Sequence, residues 1–157
     1  ALKRVLILTL KYRHLTMFMG KPAAEKLLLI SVAAYLTFVK ICTHLLPFRT
    51  LSSLIQTGDK KTASMPERES GEITDNIARR VRSVSKKLPW NSSCLVQAAA
   101  AKLLLRRRGI PSSICFGVRK NGAQINQLGA HAWLMIDEDI VLGGDIADQY
   151  TQVSTLT

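Results

Sequence analysis

The sequence predicts an α+β fold, with helices in the first two thirds of the chain and a small antiparallel sheet in the last third. Apolar residues recur at helical spacing along residues 73–88, whereas they alternate with other residues along 114–118 and 130–136. The 157 residues are 47% hydrophobic and 21% charged. This balance fits one folded core and excludes a disordered or collagen-like chain.

The first 55 residues are basic and apolar, and they predict a helical region. Residues 1–50 carry eight Lys or Arg and one acid, which is most of the net charge of +11. Two helices are expected in residues 1–46, the second beginning near Pro22 and stopped by Pro47, because proline suits a first helical turn but disrupts later ones. The uncharged run over residues 27–39 is shorter than the roughly 20 residues that span a bilayer, and it predicts a buried or interfacial helix. The region is either a docking surface for a partner or a helical layer over the core.

Residues 56–71 are polar and predict a linker or mobile loop before a core over residues 72–157. An amphipathic helix follows, and its apolar stripe is Ile73, Ile77, Val81, Val84 and Leu88. Its Arg and Lys residues predict a solvated face.

A short motif then places Cys94 in the first turn of the next helix. Asn91, Ser92 and Ser93 are favoured helix N-caps, and residues 95–108 form helices readily. Unpaired backbone amides and the helix dipole at such a position favour a thiolate, which makes a cysteine nucleophilic. A small buried thiol is the alternative. Gly109 and Pro111 then end the helix.

Three strands are predicted next, over 114–118, 130–136 and 140–142, the last ended by Gly143 and Gly144. His131, Trp133 and Met135 share one face of the second strand, because side chains alternate along a strand. The chain therefore presents Cys94, His131 and Asp145 in that order.

This order suits acyl transfer through a thiolate, an imidazole that shuttles the proton and a carboxylate that orients the imidazole. Alternatively, His131 is a core histidine and Asp145 a cap. Cys115 is expected in the core, and Cys42 with His44 is too isolated a pair to predict a metal site. No cofactor is predicted.

The chain resembles the leader peptidase of lasso-peptide biosynthesis, a transglutaminase-like cysteine protease family, over about residues 25–150. The segments that carry the resemblance are 94–98, 103–111, 117–120 and 130–133, with 45–49 and 88–90 upstream. The resemblance implies a papain-like core with the nucleophile at a helix N-terminus packed on the sheet. It also implies Cys94 as nucleophile and His131 as general base and acid.

Asp145 is the predicted orienting acid, with Asp139 and Asp137 as alternatives, because family members often place this Asp closer to the histidine. A Cys and His dyad is a further alternative. The resemblance implies removal of a leader from a ribosomally made precursor before a separate ATP-dependent cyclase closes the ring. Fused forms carry an N-terminal leader-recognition domain with strands. Residues 1–50 look helical, which predicts the stand-alone form acting with a separate leader-recognition protein.

The expected partners are the precursor leader, that recognition protein and the lasso cyclase. Nucleic acid is not expected, because the basic residues are diluted among aliphatic ones. Membrane association is not expected either. Three irregularly spaced cysteines and no recognisable secretory signal predict a cytoplasmic location. Two alternatives in function are an acyl or amide transferase on the same fold, and a non-catalytic binding or membrane-associated module.

Overall fold

A computed structural model describes residues 22–56, 66–120 and 128–157, and these residues form an α+β fold. The helices come first in the chain: α1 (Ala23–Leu45), α2 (Phe48–Gln56), α3 (Glu67–Ser85) and α4 (Cys94–Arg106). The strands follow: β1 (Ser113–Lys120), β2 (Leu128–Ile136), β3 (Asp139–Leu142) and β4 (Thr151–Leu156), with a 3-10 helix (Gly144–Gln149) before β4. The predicted fold class is confirmed.

The four strands form one antiparallel sheet in the order β3-β2-β1-β4. In the central pair, Cys115 lies opposite Trp133 and Gly117 lies opposite His131. A register shift interrupts the pairing of β1 with β4 between Phe116 and Gly117. The three predicted strands are confirmed, and each is extended by one to three residues.

Helix α1 begins directly after Pro22 and ends at Leu45, as the two prolines predict. The other helix predicted in residues 1–46 lies outside the described residues. Helix α2 was not predicted as a separate element, and its first turn starts at Pro47, whose carbonyl accepts hydrogen bonds from the amides of Thr50 and Leu51. Proline therefore ends one helix and opens the next, because a first turn does not need its missing amide hydrogen.

Helix α1 extends beyond the uncharged run of residues 27–39 at both ends. The helix has 23 residues and contains an 18-residue stretch with a mean hydropathy of 1.7, which is sufficient, by length and composition, for a membrane span. The helix includes Lys40, the charged residue that interrupts the uncharged stretch in the sequence. Val32, Leu36 and Val39 are nevertheless buried in protein. Length and composition alone do not distinguish a membrane span from the core helix of a soluble protein.

The chain divides into two compact units, residues 1–31 and 32–157. The predicted linker, residues 56–71, therefore falls inside the second unit. Its residues 57–65 are outside the described part of the chain, whereas residues from Glu67 onward already belong to α3. Polarity misled the sequence interpretation here, because the first turn of α3 is exposed on most of its sides.

Helix α4 is the centre of the second unit and contacts α2, α3, β1 and β2. Nine of its thirteen residues are buried, including a row of four alanines. Polar contacts fix its C-terminal half. The buried Lys102 ammonium donates a hydrogen bond to the Ser112 carbonyl, and the Arg106 guanidinium donates to the carbonyls of Leu54 and Ile55 at the end of α2.

The sheet also buries a small apolar cluster that includes residues of the 3-10 helix region. Cys115, Trp133 and Ala147 are buried in it, and Met135 and Tyr150 pack against them. Cys115 is thus a core thiol, as predicted. The 3-10 helix and β4 were missed by the sequence interpretation, because β4 is exposed at every residue except Leu156 and therefore has no apolar alternation.

The close packing around Gly117 predicts a stability effect. A β-carbon there would lie 2.8 Å from both the Trp133 ring and the Tyr150 β-carbon. We expect Gly117→Ala to lower the free energy of unfolding by about 2 kcal/mol, since overpacking a rigid core costs about 1–3 kcal/mol. Urea unfolding followed by circular dichroism measures it.

Gly71→Ala is the matched control, because a β-carbon at Gly71 in α3 meets no atom within 4 Å. This control should raise stability by about 0.5–1 kcal/mol through helix propensity. Equal effects of the two substitutions would contradict the packing argument.

Candidate active site

Cys94 is the first residue of α4, as the sequence predicts. Ser93 is the N-cap, and its hydroxyl oxygen accepts a hydrogen bond from the Val96 amide at 3.4 Å. Gly109 ends the helix with a left-handed φ of 72°, followed by Pro111. Cys94 is partly exposed, whereas Cys42 and Cys115 are buried. The thiol therefore lies at the positive end of the helix dipole and can be reached from solvent.

His131 lies near the start of β2, and its ring is held on several sides. Its Nε2 atom lies 2.8 Å from the backbone carbonyl oxygen of Gly143. The Trp133 ring is stacked beside it at a centroid distance of 6.0 Å, and the Tyr150 ring lies 5.2 Å away. Arg119 lies over the other aromatic ring, 5.0 Å from the centroid of Tyr150. The imidazole is therefore a positioned side chain rather than a loosely exposed one.

One cavity of about 270 Å³ brings the predicted residues together. Cys94, His131 and Asp145 all line it. The remaining lining residues are Gln97, Ala132, Leu142, Gly143 and Ile146. A thiol, an imidazole and a carboxylate that are distant in sequence thus open on a common space, because α4 packs against β2 and the 3-10 helix follows β3.

The three candidate acids differ in their places. Asp145 is exposed in the first turn of the 3-10 helix. Asp137 and Asp139 are exposed at the turn between β2 and β3, at the opposite end of β2 from His131. At ~3.3 Å per residue this turn lies roughly 17–20 Å from His131 along the strand. Asp145 is therefore the one of the three that lines the cavity.

Asp145 is nevertheless not the group bonded to the imidazole. Within the described residues, His131 makes its hydrogen bond with Gly143, and none joins its ring to the Asp145 carboxylate. The sequence interpretation treated Gly143 and Gly144 only as the end of a strand and did not consider a backbone acceptor. No sequence signal distinguishes a glycine whose carbonyl is functional from one that ends a strand.

Gln97 is a second cavity residue that the sequence interpretation missed. It lies one turn after Cys94 on α4, and its side-chain amide donates a hydrogen bond to the Ser92 carbonyl at 3.0 Å. This contact fixes the loop that precedes the nucleophile's helix. Gln97 could have been found from the sequence by its spacing of three residues from Cys94, because residues three apart lie on the same face of a helix.

Comparison with known proteins agrees with this architecture. The family model described as the transglutaminase-like superfamily matches residues 35–155, which is most of the chain. No curated protein and no solved structure matches significantly. Members of the superfamily are typically cysteine peptidases or transferases. By its fold and by this match, the chain belongs to the transglutaminase-like superfamily.

Proposed function

We propose that this protein is a cysteine peptidase that removes the leader segment from a ribosomally made lasso-peptide precursor. The observation that carries the proposal is that Cys94, at a capped helix N-terminus, and His131 line the same cavity. The superfamily supports a cysteine protease or acyltransferase type of activity.

In the proposed reaction, the Cys94 sulfur attacks the carbonyl carbon of the scissile peptide bond, and His131 takes the thiol proton. The tetrahedral intermediate collapses to a thioester as His131 gives that proton to the leaving amine, which frees the N-terminus of the core peptide. His131 then deprotonates a water molecule that attacks the thioester. The bond between the acyl carbon and the Cys94 sulfur breaks, His131 returns its proton to that sulfur, and the leader leaves as a carboxylic acid that ionises in solution. The Cys94 backbone amide, at the start of α4, is the proposed oxyanion donor.

The precursor assignment is supported by the resemblance to lasso leader peptidases. The segments that carry it, 94–98, 103–111, 117–120 and 130–133, belong to the start of α4, its end, β1 and β2. Segments 94–98 and 130–133 supply Cys94, Gln97, His131 and Ala132 to the lining of the cavity, so these two parts of the resemblance lie where substrate would bind. A transferase of the same fold would pass the thioester acyl group to an amine instead of water, and the product mass separates the two reactions.

The proposal also includes a separate leader-recognition protein that docks on the N-terminal helices. Phe38, Ile41, Leu45 and Phe48, here named the apolar ridge, are exposed although they are large and apolar. Lys40 and Arg49 are basic neighbours of the ridge, and residues 32–56 contain no Asp or Glu. A partner with apolar contacts and a surrounding acidic rim would fit this surface.

Leader cleavage is the first prediction of the proposal. We expect the wild-type protein, with the recognition protein and a cognate precursor, to cleave at one leader-core junction. Cys94→Ala and His131→Ala should each lower the rate by at least about 10³-fold, because removing a nucleophile or its base disables the whole unit. Mass spectrometry of the products measures this. Absence of cleavage by the wild type, with the partner shown to bind precursor, would contradict the proposal, and a product with an added amine would indicate transfer.

Thiol reactivity provides a test that needs no substrate. Cys94 is partly exposed at a helix N-terminus, whereas Cys42 and Cys115 are 8% and 2% exposed. We expect iodoacetamide to modify Cys94 at least ~10-fold faster than the other two thiols in the folded protein. Cys94→Ser should remove the fast reaction, and His131→Ala should slow it. Equal rates at the three cysteines would favour a non-catalytic binding module.

If the recognition protein docks on the apolar ridge, substitutions there should reduce leader cleavage in the presence of that protein and leave the reactivity of Cys94 unchanged. Ile41→Asp combined with Leu45→Asp places charges on the apolar ridge, and it should reduce leader cleavage in trans by about 10-fold or more, since buried interface positions dominate binding. Lys40→Glu with Arg49→Glu should weaken the same interaction.

Val153→Asp is the control for docking, because Val153 is also exposed and apolar but lies on β4. All variants should keep wild-type iodoacetamide reactivity at Cys94. Normal cleavage by both N-terminal variants would show that the partner docks elsewhere.

A further inference from the structure

We infer that the backbone carbonyl of Gly143, rather than a carboxylate, orients the imidazole of His131. The inference deepens the proposed function, since it rests on His131 acting as the base for Cys94. It assigns a positioning role to a residue that the sequence interpretation treated as the end of a strand.

The hydrogen bond itself sets the tautomer of the ring. Nε2 of His131 lies 2.8 Å from the Gly143 oxygen. A carbonyl oxygen only accepts hydrogen bonds, so Nε2 must carry the hydrogen. In the neutral ring, Nδ1 is then bare and accepts a proton. A general base needs one bare ring nitrogen, and the bond to Gly143 leaves Nδ1 bare. In a Ser-His-Asp triad the orienting carboxylate does the same on the other side of the ring, where it binds Nδ1–H and leaves Nε2 bare.

The backbone at Gly143 explains why glycine stands there. Its φ is +83°, in the left-handed region that L side chains rarely adopt. A β-carbon would also lie 3.1 Å from the Ala132 carbonyl oxygen and 3.2 Å from the Trp133 β-carbon. Glycine thus lets the chain turn out of β3 and pass close to β2, where its carbonyl meets the ring of His131.

Two aromatic rings complete the support. Trp133 and Tyr150 lie 6.0 Å and 5.2 Å from the imidazole, centroid to centroid, with interplanar angles of 28° and 38°. They restrict rotation of the ring about its side-chain bonds. One hydrogen bond is therefore sufficient to define the ring's orientation, whereas a solvent-exposed histidine would need stronger anchoring.

The first experiment reads the tautomer directly. The Cys94→Ser protein, labelled with ¹⁵N at histidine, is examined by NMR at a pH where its imidazoles are neutral, so that the tautomer is read without the reactive thiol. His131→Ala identifies the signal. We expect the Nε2–H tautomer at His131, both with Asp145 and in Asp145→Asn. An Nδ1–H tautomer, or a change of tautomer in Asp145→Asn, would overturn the inference.

The second experiment measures the kinetic role of the acid. Loss of a carboxylate that orients a catalytic histidine costs about 10⁴-fold in kcat. Asp145→Asn should instead lower kcat for leader cleavage, and the rate of Cys94 alkylation, by less than ~10-fold, with the pH profile of alkylation kept in shape. If Asp145→Asn instead lowered kcat by about 10⁴-fold and displaced the pH profile of alkylation, Asp145 would be the orienting group.

The third experiment moves the carbonyl. Gly143→Ala strains the left-handed turn, and we expect it to lower kcat by about 10-fold or more with a smaller change in KM, because it displaces a group that acts through His131. Gly144→Ala is the matched control. Gly144 does not have a left-handed φ, and its added β-carbon would meet only the side chain of the exposed Ile140, at 3.1 Å. Equal activity of the two variants would contradict the role of Gly143.

Failure of this inference is separable from failure of the proposed function. The tautomer and the alkylation rates need no precursor, so they report on Gly143 even if no leader is cleaved. Conversely, cleavage that depends on Cys94, His131 and Asp145 would support the peptidase and overturn the role of the carbonyl.

Discussion

The burial of helix α4 on nearly all sides is the constraint on which the rest of the structure depends. A helix that is apolar around its whole circumference must lie inside a core. Here the row of alanines lets α3 and the sheet approach it closely, since small side chains leave little space between the elements. The buried Lys102 and the Arg106 guanidinium fix its far end. The N-terminus of α4, and with it Cys94, is consequently held rigidly beside β2.

Because these elements are held rigidly, a backbone carbonyl can take the place of a carboxylate side chain beside the histidine. In the usual arrangement a carboxylate orients the histidine and stabilises the imidazolium. A backbone carbonyl orients the imidazole through its dipole and carries less negative charge than a carboxylate. The fold fixes its position directly, because a backbone atom has no side-chain rotamer. The conformation of Gly143, the packing of Trp133 over Gly117 and the stacking on His131 are therefore parts of one arrangement. The exposed Asp145 lines the cavity and makes no hydrogen bond to the imidazole.

Helix α1 shows two apolar faces, and the second unit needs only one of them. Val32, Leu36 and Val39 face the core, whereas Phe38, Ile41 and Leu45 remain exposed. An apolar surface that folding leaves uncovered is typical of an interaction site. The sequence around it, residues 32–56, contains no acidic residue, which is the basis for proposing an acidic rim on the leader-recognition protein.

The sequence by itself determined the local structure around the nucleophile and the strands. Ser93, Cys94, Gly109 and Pro111 define the ends of α4 through capping and turn chemistry, which act over a few residues. Alternation marked β1 and β2, and a short apolar run ended by two glycines marked β3. The capping signal placed Cys94 at the start of a helix, and the alternation placed His131 on a strand. Strand β4 escaped detection because its residues are exposed, and α3 began earlier than predicted because its first turn is polar.

Only the tertiary structure decided which groups meet at the cavity. Asp145 was the preferred acid in sequence, with Asp139 and Asp137 as alternatives, and the β2-β3 hairpin carries the last two away from His131. The acceptor for the imidazole is a backbone atom, which every residue possesses and which no side-chain pattern marks. Its position depends on a left-handed turn held between β3 and the 3-10 helix, and such long-range packing is not encoded in local periodicity.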